Sequence, residues 1–186
     1  QNTKKITKAM KMVAAAKVKK AENTVKAARP FSDELLHLFR KMLATVGEYS
    51  VAGLHVQRAL DNYPELLEKR DIKTEGLLVI TSNKGLAGAY NSNIIKTAIA
   101  RIRANKERGV NTVIYPVGQK AVSAFKHAGK YFELKEGYIS IANDPTATGA
   151  NIIAEDIAED FVSGHIDKID IITTHFNNMM SYNVVS

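Results

Sequence analysis

Apolar residues recur at spacings of four and three along the first part of the chain. Ala14, Val18, Ala21, Val25 and Ala28 are followed by Leu35, Leu38 and Met42, with Ser32 in the one skipped place, and Ile6, Met10 and Val13 carry the stripe backwards. A period of about 3.5 residues is the seam of a left-handed supercoil. A helix from Thr3 to Val46 would be roughly 66 Å long at about 1.5 Å per residue, about twice the diameter of a small domain, so it is expected to project. Its alanines make the seam narrow and let a partner helix come close. Leu35, Leu36, Leu38, Phe39, Met42 and Leu43 are bulky and suit burial at the foot. Pro30 removes one backbone donor, and because the pattern resumes after it, a kink is expected there and not an end.

From Gly76 onward the pattern changes to short β-branched runs alternating with helical ones. Strands are expected at residues 77–81, 112–115, 131–134 and 169–174, and helices at about 91–107, 119–127 and 146–163, with 179–186 as a possible further strand. Such alternation predicts crossover units on a mostly parallel sheet. The expected architecture is therefore α/β: a shaft helix over residues 1–50, a polar connector over 51–75 and a globular, Rossmann-like body over 76–186.

Charge changes the picture of the helix. The first 29 residues hold eight lysines and Arg29 against Glu22 alone, a net of +8, whereas the remainder has 17 bases and 18 acids. A basic helix joined to a near-neutral body is built to contact something along that helix. At 45% hydrophobic and 24% charged residues the composition is that of a globular chain, without repeats. The absence of cysteine excludes disulfides, thiolate zinc sites and cysteine nucleophiles. No apolar run reaches the roughly 18 residues of a membrane span, and the N-terminus is too charged for a secretory signal.

Candidate chemistry is sparse. The loop from Thr81 to Asn91 has two glycines ahead of a helix whose start Asn91 or Ser92 would cap, and free amides at a helix start attract anions. Its spacing matches neither dinucleotide-binding nor phosphate-loop patterns, because Lys84 precedes the first glycine, so a structural turn is favoured over a ligand site. Glu155 with Glu159, and Asp156 with Asp160, are four apart on one helix and read as a solvated acidic face. The histidines at 37, 55, 127, 165 and 175 show no metal-ligand or triad spacing; His175 sits at the end of an expected strand, where α/β ligands bind. No catalytic residue, cofactor or metal is expected.

Three blocks now carry a resemblance. Gln1-Asn2-Thr3-Lys4-Lys5-Ile6-Thr7-Lys8-Ala9-Met10-Lys11-Met12-Val13-Ala14-Ala15-Ala16-Lys17, then Ala28-Arg29-Pro30-Phe31, then Ser82-Asn83-Lys84-Gly85-Leu86-Ala87-Gly88-Ala89-Tyr90-Asn91 resemble, in order and spacing, the gamma subunit family of the F-type rotary ATP synthase. The resemblance covers essentially the whole chain. It implies a central rotor shaft that is not itself catalytic, whose first helix pairs with a C-terminal helix inside the cavity of the alpha-beta hexamer. The body would sit near the epsilon subunit and the ring of c subunits, coupling proton or sodium flow to ATP synthesis and hydrolysis. It further implies a peripheral membrane location on the cytoplasmic face of a bacterial membrane, and hexamer contacts by Lys4, Lys5, Lys8, Met10, Lys11 and Lys17. The implied seam is Ala14, Val18, Ala21, Val25, Ala28, Leu35, Leu38 and Met42, and the family loop is marked by Ser82, Lys84, Gly85 and Gly88.

Asn83-Lys84 stands where the family commonly has Asp-Arg, and Ala87 where it often has Cys. The family starts earlier than Gln1 and ends in a long helix of which nothing follows Ser186, so the sequence is expected to be part of a longer polypeptide. The cysteine-bearing insertion of chloroplast forms is absent, which favours a bacterial type. The rival reading, a nucleic-acid binder tracking phosphates with its basic helix, expects aromatic side chains or Arg/Asn base readers among the lysines, and residues 1–28 contain no aromatic and no Arg.

Overall fold

A computed structural model describes residues 2–48, 66, 70–85, 87–128, 131–143, 145–178 and 181–185. The chain divides into two compact units, residues 1–62 and 63–186. Most of the connector expected at 51–75 lies outside the described residues, as do Leu86 of the loop and the side chain of Met42.

The described residues of the first unit form one helix, α1, from Asn2 to Glu48. It runs through Pro30 unbroken. At about 1.5 Å per residue its length is roughly 70 Å. The hydroxyls of Thr7, Thr24 and Ser32 fold back onto the carbonyls of Thr3, Lys20 and Ala28, so these residues meet their polar needs within the helix.

The second unit is a five-stranded sheet in the order β3-β2-β1-β4-β5. Its elements are β1 (Thr74–Ile80), α2 (Tyr90–Glu107), β2 (Asn111–Val117), α3 (Gln119–Lys126), β3 (Glu133–Leu134), α4 (Ala147–Val162), β4 (Lys168–Asn178) and β5 (Ser181–Val185). β1 pairs in parallel with β2 and β4, β2 with β3, and β5 closes antiparallel on β4. Side chains alternate across each strand, so Leu77, Val79 and Ile114 point to one face and Leu78, Val113, Tyr115 and Val117 to the other. The first face is covered by Ile94, Ala98 and Ile102 of α2 with Ala121 and Phe125 of α3, and the second by Ile153 of α4 with Ile166. Strands buried on both faces explain the continuous apolar runs in the sequence.

Several boundaries differ from expectation for identifiable reasons. β1 begins at Thr74, and so recruits the end of the expected connector, because Glu75 finds partners inside the fold. β4 continues to Asn178, which places His175 within the strand, opposite Asn183, and not at its end. The expected α2 cap is also different: the N-cap is Ala89, with no side-chain cap bond. Asn91 is engaged elsewhere, accepting from the Ser82 amide at 3.0 Å, while Ser92 donates to the Ala89 carbonyl at 3.0 Å.

Candidate functional site

The surface of α1 carries two different faces. Met10, Val18, Val25, Leu35 and Leu38 of the apolar stripe are exposed, Leu35 by 56% and Leu38 by 54%. The alanines at 14, 21 and 28 between them are exposed as well. On a helical wheel at about 100° per residue, Lys4, Lys5, Lys8 and Lys11 fall more than about 100° from the centre of the Ile6–Met10–Val13 line. All four are exposed. Glu22 accepts from Lys26 at 2.7 Å and from Lys19 at 3.5 Å, which draws its carboxyl below the usual range through the Lys26 hydrogen bond and the charge of both lysines. The N-terminal lysines have no such internal acid.

The loop after β1 opens where the strand order reverses between β1 and β4, the place at which α/β sheets bind ligands. Here the geometry is that of a bracket. Ser82 donates its hydroxyl to the Lys84 carbonyl at 2.7 Å, and Asn83 donates to the Ile139 carbonyl at 2.8 Å. The opening amides of α3, which would otherwise face an anion, are already engaged. Gln119 donates to the Asn83 side-chain oxygen at 2.7 Å, Lys120 to the Ser82 carbonyl at 3.2 Å and Ala121 to the Thr81 hydroxyl at 2.9 Å. Lys84, Gly85 and Gly88 lie exposed at the tip. A cleft of about 590 Å³ opens instead at the amino ends of the strands, lined by Thr74, Lys106, Asn111, Tyr131, Glu133 and His165.

Beneath α2 lies an ionic cluster that sequence reasoning missed. Glu75, 1% exposed, accepts from Arg101 at 2.6 and 2.9 Å, from Asn105 at 2.6 Å and from Lys168 at 3.2 Å. Asp170 accepts from Arg101 at 2.7 Å and Lys168 at 2.8 Å. Burial alone would raise the Glu75 pKa, but the hydrogen bonds from Arg101, Asn105 and Lys168 outweigh it and bring the value down to about 2. Arg101 and Asn105 are one helical turn apart on the face that also carries Ala98 and Ile102, a polar pair on an apolar stripe, which is the signal that could have found them.

Two acids of the α4 face, Asp156 and Asp160, are engaged, whereas Glu155 and Glu159 are exposed. Asp160 accepts from the buried Tyr115 hydroxyl at 2.6 Å and pairs with Lys135 at 2.8 Å, and Asp156 accepts from Tyr138 at 2.6 Å. Burial, then the Asp160 hydrogen bond, pushes the Tyr115 pKa well above the tyrosine range. Among the described residues no group of three His, Cys, Asp or Glu side chains is placed to hold a metal ion, and no helix is long and apolar enough to cross a membrane.

A family model described as ATP synthase matches residues 1–186. The ATP synthase gamma chain of Synechococcus sp. (strain JA-3-3Ab) is 36% identical over 181 residues, covering 97% of this chain and 54% of that one. The chain belongs to the ATP synthase gamma family. The gamma chain of Crocosphaera subtropica is 37% identical over 183 residues, again covering 97% of this chain and 54% of its own. The chain thus spans about half the length of the curated relatives it matches. A chain from the central stalk and c-ring of the Tetrahymena thermophila mitochondrial ATP synthase aligns with a TM-score of 0.49 at 23% identity, covering 78% of this chain and 64% of that one. For this gamma-family chain, the long helix and mostly parallel α/β body are as the sequence predicts.

Proposed function

We propose that this gamma-family chain supplies the shaft of an ATP synthase rotor, coupling proton or sodium flow through a ring of c subunits to ATP synthesis and hydrolysis in an alpha-beta hexamer, without catalytic groups of its own. The observation that carries this reading is α1: a 47-residue helix with an exposed apolar stripe on one side and Lys4, Lys5, Lys8 and Lys11 on the other. The stripe packs against a second helix, and Lys4, Lys5, Lys8 and Lys11, with Met10 at the stripe's edge, run inside the hexamer cavity. Exposed ion pairs contribute only about 0 to 1 kcal/mol each, so such contacts guide a turning shaft without locking it. The α/β body lies toward the epsilon subunit and the c ring, on the cytoplasmic face of a bacterial membrane. The loop after β1, spent on holding the opening amides of α3, accords with a body that positions partners and does not bind nucleotide. The nucleic-acid reading finds no support among the relatives.

The test is replacement of Lys4, Lys5, Lys8 and Lys11 together by Gln in a reconstituted complex. Helix propensity is nearly unchanged, so the body stays folded, while ATP-driven ion pumping per ATP hydrolysed falls. Unchanged assembly and coupling in the fourfold variant would refute a steering role for the basic face.

A further inference from the structure

We propose that Lys17 is the register key of the α1 seam, and that the helix packed on α1 presents a carboxylate to it. The inference rests on the reading of α1 as one half of a helix pair and names a chemical requirement on the other half.

Lys17, which the family resemblance groups with the hexamer-contacting lysines, differs from Lys4, Lys5, Lys8 and Lys11 in position. Ile6, Met10, Val13 and Lys17 follow one another at spacings of four, three and four, and the Ala14–Val18–Ala21–Val25 line starts one residue on. Lys17 therefore occupies the seam place after Val13 and stands beside Val18, where the two lines meet. On the wheel at about 100° per residue it falls within about 15° of the centre of the N-terminal line. Ala14 and Ala21, a turn away on either side, are small enough to let a partner backbone approach closely, which would cover the Lys17 stem and ammonium.

Among the described residues, nothing on α1 neutralises it. Lys17 is exposed and has no ion pair there. Glu22, the one acid among the first 29 residues, is held by Lys26 and Lys19 on the opposite side of the helix. The next acid, Asp33, is 16 residues along, roughly 24 Å away at about 1.5 Å per residue. An ammonium covered by a packed helix without a counter-charge is strongly unfavourable, and a lone lysine in an apolar seam is a known device for fixing register. The partner that fits is accordingly an apolar, small-residue helix with an Asp or Glu level with Lys17. Slipping it by one heptad, about 10 Å, would leave both charges unpaired.

The experiment uses ATP synthase assembled from full-length gamma carrying Lys17→Glu, Lys17→Arg, Val18→Asp or, as a body-surface control, Lys96→Glu. The expected result is at least a tenfold loss of assembled complex for Lys17→Glu and Val18→Asp, and yields within twofold of wild type for Lys17→Arg and Lys96→Glu. Selection for restored ATP synthesis from Lys17→Glu should return Asp or Glu to Lys or Arg changes on a helix. If Val18→Asp assembles poorly but Lys17→Glu assembles normally, the register key is overturned while the helix pair stands. If Val18→Asp also assembles normally, the shaft reading itself falls. Suppressors confined to codon 17 or to non-helical segments would likewise overturn the key.

Discussion

Replacing Glu75 by Gln should be the most damaging single-atom change in the body, and its size follows from the geometry. Gln keeps the shape but removes the charge that holds Arg101, Asn105 and Lys168 around one carboxylate. The Glu75 pKa falls from 4.5 to about 2: burial raises it, and the three hydrogen-bonding partners together more than reverse that. At about 1.4 kcal/mol per tenfold change in acidity, a drop of this size corresponds to about 3 kcal/mol of stability held by the ionised form. Removing one member of a buried ion cluster has a similar cost, about 3 to 5 kcal/mol, because the remaining charges lose their counter-ion. Because the folded-state pKa is depressed, this stabilisation is fully present above pH 4.5 and is lost as pH falls toward 2; by about pH 3 more than half is gone. The assay is urea unfolding of the whole chain, followed by near-ultraviolet circular dichroism of the buried tyrosine. With a urea slope of about 1 to 3 kcal/mol per molar, the midpoint at pH 7 should fall by roughly 1 to 3 M, and the gap between wild type and variant should close on acidification. A Glu75→Gln variant with the wild-type midpoint at pH 7, or a gap that widens toward pH 3, would refute the account.

What the sequence reveals and what it hides divide along a physical line. The α1 stripe and the alternating strands are legible because periodicity is local: each apolar residue announces its face through neighbours two, three or four positions away. β5 falls within residues 179–186, where a further strand is expected. The ionic cluster is hidden because Glu75 lies in a polar stretch that reads as connector, while its partners Arg101, Asn105 and Lys168 lie 26, 30 and 93 residues away. Asp160 reads as solvated for the same reason. Its four-residue spacing from Asp156 is visible, but Tyr115 and Lys135, which neutralise it, arrive from β2 and the segment after β3. In the loop, Asn91 has the chemistry of a helix cap, but its side chain is engaged with Ser82, a competition that propensity does not register. Local rules thus recover the frame, and the polar contacts that fix it come from chain closure.

Two further predictions concern the body. Tyr115→Phe should cost about 1 to 2 kcal/mol in urea unfolding, because Asp160 loses one short donor but keeps Lys135. In wild type the raised Tyr115 pKa adds stability below about pH 10 that is lost above it, so this variant should lose less stability between pH 9 and 11 than wild type. The last prediction compares two glycines of positive φ, one crowded and one open. Gly118 has φ 89 with ψ 149, a region that glycine alone adopts readily, and Gly109 has φ 71, so alanine is strained at both. At Gly118, however, a Cβ would stand 2.4 Å from the Thr81 carbonyl oxygen, whereas at Gly109 nothing lies within 4 Å. The Thr81 backbone cannot yield without releasing the contacts by which Thr81, Ser82 and Asn83 engage the opening amides of α3. Gly109→Ala should therefore cost about 1 kcal/mol, the conformational term alone, and Gly118→Ala well above about 2 kcal/mol, with faster hydrogen exchange at Gln119 to Ala121. Equal costs at the two positions would show that the loop gives way freely and that the bracket beneath α3 does not hold the turn.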